Sequence, residues 1–229
     1  MGTSTSFRAP PVPRWQAFTI ALQTDLPLER VRSEMFNAGV DWERELSTPA
    51  VAAFAVAIGR ARDVLPERLA GAEAPERVLA AYVAEARAAS AAQGGSAALA
   101  VAERAFAAML TRAAAGDRAL SGQDPAAVAG RLGAALEHPG EAVVAYVGEV
   151  LGQYARHVVA REAGRLTEGP EGASVADTRR TARRLAADAT QVSRDLHAPR
   201  GDPDSIRSGW HALVREAFQQ GRRLPRGPG

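Results

Sequence analysis

GEAVVAYVGEVLGQYARHVVAREAGRL, residues 140–166, decides the fold class. Val143, Val147, Val150, Tyr154 and Val158 make one apolar stripe at helical spacing. Ala145, Gly148, Gly152, Ala155 and Val159 make a second, small until its last member. A helix with two packing stripes belongs in the middle of a helix bundle. Each glycine costs a helix interior about 1 kcal/mol relative to alanine, so the Gly148/Gly152 pair signals a neighbouring backbone that comes close.

The surrounding composition agrees. Of 229 residues 51 are Ala, the best helix former, and only 5% are aromatic. All 28 basic residues are Arg, with Lys and Cys absent. This Ala and Arg excess is what the codon usage of a GC-rich bacterial genome produces. Without cysteine the chain has no disulfide, thiolate nucleophile or zinc ribbon.

Helix starts are marked by a polar residue followed by Pro: Asp25 shortly before Pro27, Ser47-Thr48-Pro49, Asp124-Pro125 and Asp202-Pro203. Pro75 and Ser96 begin two more, and Pro66 is expected to kink or end the helix it lies in. Trp15, Phe18 and Leu22 share a helical face, although Phe18, Ile20 and Leu22 also alternate as a strand does. With no second strand to pair with, a short helix is preferred. The expectation is an all-α, mainly antiparallel bundle of seven to nine helices. Residues 1–12 read as a flexible leader, 13–168 as the core, 173–223 as a basic helical hairpin packed on or extending from it, and 224–229 as a disordered tail.

Val175, Thr178, Ala182, Leu185, Ala189, Val192 and Leu196 step by threes and fours through three heptads. Such a seam fits one partner helix, either within the bundle or on another copy. Beside it, Arg179, Arg180, Arg183 and Arg184 lie within about 8 Å of helix rise. They form the leading candidate for binding phosphate or an acidic partner, with Asp177 and Asp188 as local counter-charges. Residues 176–229 hold eleven Arg against six acids, a net +5, whereas the first 175 hold 17 against 20, a net −3.

Catalytic patterns are absent. His138, His157, His197 and His211 show no metal-ligand spacing, so no metal or cofactor is expected. Asp195-Leu196-His197 lacks the serine elbow of a nucleophile triad. Gly94-Gly95-Ser96 lacks the lysine and preceding strand of a P-loop. Arg200-Gly201-Asp202 is a chance tripeptide in a chain rich in these residues. The stretch 1–14 is Pro-rich, unlike a secretory signal, and no apolar run reaches membrane-spanning length, which points to a cytoplasmic protein.

These readings favour a non-enzymatic scaffold or adaptor working through protein–protein contacts, as a homo-oligomer or part of a larger assembly. Nucleic-acid binding by the Arg face is the alternative. A helical enzyme with Tyr154, His157 and Glu149 around a ligand is a third.

Overall fold

Side-chain caps mark four of the helix starts. The Asp124 carboxylate accepts from the backbone N–H groups of Ala126 and Ala127, and Asp202 accepts from Ser205 at 2.8 Å. Ser96 and Ser174 each accept from the N–H three residues on, at 3.2 and 3.1 Å. These bonds satisfy donors that a helix start otherwise leaves open. Thr48 departs from the expected pattern: its hydroxyl donates backwards, to the Glu45 carbonyl.

The computed structural model describes residues 13–24, 26–91, 96–116, 118–166 and 174–224. Asp25, the leader 1–12, the glycine pair at 94–95, the connection 167–173 and the tail from 225 onward lie outside the described residues. Ten α-helices follow one another among those described: α1 (Pro13–Gln23), α2 (Leu28–Ala38), α3 (Val40–Leu46), α4 (Pro49–Ala70), α5 (Pro75–Ala91), α6 (Ala97–Ala115), α7 (Pro125–Ala135), α8 (Pro139–Leu166), α9 (Val175–Gln191) and α10 (Pro203–Arg222). A 3-10 turn, Val192–Asp195, follows α9. No strand occurs among the described residues. None of their helices is long and apolar enough to cross a membrane.

The fold is therefore all-α, with one helix more than the upper expectation. The addition is α3, seven residues with no capping side chain, too short and too charged to register as a periodic segment. Pro66 neither ends nor breaks α4, which runs on to Ala70. Its position in the last turns, facing Gly133 of α7, where an added Cβ would lie 3.7 Å from its ring, lets packing override its intrinsic cost.

Two long helices organise the rest. α4 packs against α5, α7 and α10, while α8 packs against α6 and α9. Between them lies an aromatic core. Tyr146 stacks on Trp210 at 5.7 Å and meets Phe106 edge-on at 6.1 Å. Phe36, Tyr154 and Phe218 form a second group with centroids 5.1–5.9 Å apart. Each polar ring atom in these groups finds a backbone carbonyl: Trp210 Nε1 donates to Leu46, Tyr146 to Ala102, and Tyr154 to Met35. Burial pushes both tyrosine hydroxyls well above their ordinary pKa. Buried without charge and fully bonded, they act as struts.

Both helices of the basic C-terminal segment pack on the rest of the bundle. α9 lies along α8 and α2, α10 along α4 and α2, and all contribute to one continuous buried cluster. Residues 196–202 link them without regular secondary structure, past the start of α8.

Candidate functional site

α9 is amphipathic because its apolar residues recur at three and four. Thr178, Leu185, Ala186 and Ala189 are buried. Ser174 caps the helix and donates its hydroxyl to Asp177, which also accepts from Arg180 at 2.9 Å. Arg179, Arg180, Arg183 and Arg184 are all exposed. Arg183 donates to the Arg179 carbonyl at 3.4 Å, and neither Arg179 nor Arg184 makes an ion pair among the described residues.

Asp188 is not the counter-charge expected for this face. It pairs with Arg32 of α2 at 3.2 Å, and Arg32 donates as well to the carbonyls of Gly221 and Arg223. Asp188 is thus drawn into the α2–α9–α10 junction, where burial raises its pKa despite the guanidinium beside it. Of the two expected counter-charges, Asp177 alone is left to temper four guanidinium groups.

The glycine stripe of α8 is taken up within the chain by residues beside the three-four seam, namely Ala186, Thr190 and Ser193. A Cβ on Gly148 would lie 2.5 Å from Ser193 Oγ and 3.1 Å from the Thr190 carbonyl. One on Gly152 would lie 2.6 Å from Thr190 Oγ1 and 3.3 Å from the Ala186 carbonyl. The glycines of α8 are the recess into which the end of α9 settles. The seam is also shorter as a helix than its spacing implies: α9 stops at Gln191, Val192 begins the 3-10 turn, and Leu196 is extended.

Burial along the seam is uneven. Leu185, Ala189, Val192 and Leu196 are buried, Ala182 is half-buried, and Val175 is 60% exposed. The helices part toward the start of α9 and leave a groove of about 230 Å³. Val159, Thr178 and Ala182 lie along it with Ala160 and Val175, and Arg156 and Arg179 stand at its edge. A second cavity, about 450 Å³, lies between the α1–α2 connection and α9, beside Leu26, Thr181 and Arg184. Neither was legible in the sequence, because both depend on how far helices diverge.

In the enzyme-type trio Tyr154 and His157 both pack on Trp42, and each polar group is engaged elsewhere or held by packing. Tyr154 is committed to Met35, and Glu149, 5% exposed, pairs with Arg112 of α6. His157 meets the Trp42 ring at a tilt, with centroids 5.0 Å apart. None of the three lines either cavity. His197 faces Glu216 at 3.3 Å rather than Asp195. The described residues contain no cluster of three or more metal-ligating side chains.

His157 carries a pH dependence. Burial first, then Arg104 and Arg161, push its pKa below 6.5. The unfolded chain therefore binds this proton more readily than the folded one, and stability falls as pH drops below 6.5. Urea midpoints taken at about pH 7.5 and 5.5 should show that fall, and His157→Gln should flatten it. An unchanged pH slope in the variant would remove His157 from the account.

No protein-family model, curated protein or solved structure matches this chain.

Proposed function

We propose that the protein is a non-enzymatic helical adaptor whose contact surface is the outer face of α9. One observation carries this reading: four exposed guanidinium groups stand on one helix, with Asp177 as their near counter-charge, beside an apolar groove. Arginine binds planar carboxylates through two parallel bonds and covers apolar surface with its stem, so such a face suits an acidic polypeptide. The engagement of Tyr154 by Met35, Glu149 by Arg112 and His157 by the Trp42 ring supports a non-catalytic role. Self-association draws less support from the sequence pattern, since Gly148 and Gly152 pack against Ala186, Thr190 and Ser193 of the same chain and Leu185, Ala189, Val192 and Leu196 are buried.

Nucleic-acid binding draws on the same arginines. It is favoured less, because among the described residues no exposed aromatic ring accompanies them and an apolar groove adjoins them. Photo-crosslinking separates the two. A benzoylphenylalanine placed at Arg179 or Arg183, in cells that make the protein, should yield polypeptide conjugates. The same probe at exposed Glu73 should not. Nucleic-acid conjugates, or equal yields at all three positions, would overturn the adaptor reading.

A further inference from the structure

The groove beside α9 specifies what kind of polypeptide docks there, an inference that rests on the adaptor reading. α8 and α9 run antiparallel and approach tightly at Gly148 and Gly152. Toward the start of α9 a groove opens, where exposed Val175 and half-buried Ala182 continue the three-four row of Leu185 and Ala189 on either side of Thr178, which is buried and lines the groove. A row at that spacing is the complement of another helix, whose ridge seats between two others. Arg156 stands on one edge and Arg179 on the other, and no carboxylate of the described residues lines the groove. Asp177 is already held by Ser174 and Arg180.

We infer that the groove receives an amphipathic helix of a partner protein, with an aliphatic stripe on the floor and flanking Glu or Asp side chains at Arg156 and Arg179. A second copy of this chain does not supply that helix from its described residues. Their large exposed apolar side chains, Ile20, Leu26, Val40, Val175 and Leu224, are scattered along the chain and form no row.

The test uses the full-length protein and a fluorescein-labelled synthetic helix of about 20 residues, with leucines at three-four spacing and flanking glutamates. A second peptide carries lysine in place of glutamate. By fluorescence anisotropy at about 150 mM salt, the acidic peptide should bind at least about tenfold more tightly than the basic one. Ala160→Glu, on an exposed position of the groove wall, should weaken it about tenfold or more, as should Arg156→Glu with Arg179→Glu. The latter variant should bind the lysine peptide better than the parent does. No binding of the acidic peptide, or equal binding to Ala160→Glu, overturns the inference. Loss of binding in Arg180→Glu/Arg184→Glu with Ala160→Glu unaffected would also overturn it, while leaving α9 as the contact face. Preferential binding of laurate or of oligothymidine, displacing the peptide, would assign the groove to an acyl chain or a nucleic acid instead.

Discussion

Replacing Gly148 and Gly152 together by leucine is expected to release α9 from α8 and lower stability by about 4 kcal/mol. Each Cβ alone would meet a side-chain oxygen of the 190–193 turn at 2.5–2.6 Å and a backbone carbonyl at 3.1–3.3 Å. Ser193 and Thr190 cannot simply swing aside, because their hydroxyls donate to the carbonyls of Thr190 and Ala186. Overpacking at one buried site typically costs about 1–3 kcal/mol, and two neighbouring sites on one contact do not add strictly. The urea midpoint should fall accordingly, and amide exchange should rise first in α9. Gly130 supplies the control. It lies inside α7, where an added Cβ would meet nothing within 4 Å. Gly130→Ala should therefore stabilise by about 0.5–1 kcal/mol through helix propensity alone. Opposite signs at these glycines would separate packing from propensity.

Trp210→Ala should cost about 4 kcal/mol. The indole is 1% exposed, stacks on Tyr146 and donates to the Leu46 carbonyl at 2.8 Å. Truncating a buried tryptophan typically costs about 3–5 kcal/mol, and the carbonyl loses its partner as well. That is a large share of the roughly 5–15 kcal/mol that holds a domain folded. Trp210 joins α10 to α8 and to the end of α3, so its loss should loosen three helices together. Trp210→Phe should retain most of the packing and cost clearly less. Thermal or urea unfolding checks both; equal losses would mean that the hydrogen bond, rather than ring volume, governs the site.

Sequence pattern and structure agree where the signal is local. The Asp124-Pro125 and Asp202-Pro203 starts are legible because the capping carboxylate and the fixed φ of proline act within one turn. The stripe Val143, Val147, Val150, Tyr154 and Val158 is legible because helical periodicity reports burial directly, and the small-residue stripe is buried from Gly148 onward, with Ala145 exposed. The pairing of helices is not: nothing in the spacing of residues 175–196 says that their partner is the Gly148/Gly152 stripe. Arg179, Arg180, Arg183 and Arg184 are exposed as their positions on α9 imply, whereas Asp188 is taken by Arg32, 156 residues away in sequence. Pro66 passes through α4 because tertiary contacts outweigh a local preference. The groove follows from the divergence of α8 and α9, a property of three-dimensional packing that no single segment encodes.

The most direct test is light scattering of the full-length protein behind a sizing column, at low and high salt, with absorbance recorded in the nucleic-acid and protein bands. If α9 fills the glycine recess of its own chain and offers its outer face to a different protein, the isolated protein should run as a 24.0 kDa monomer at both salts, free of nucleic acid. A salt-stable oligomer that dissociates when Leu185 or Ala189 is replaced by a charged residue would contradict it, by placing the seam between copies. A heavy peak rich in nucleic acid that clears at high salt would contradict it from the other side, by giving the arginine face to a phosphate backbone.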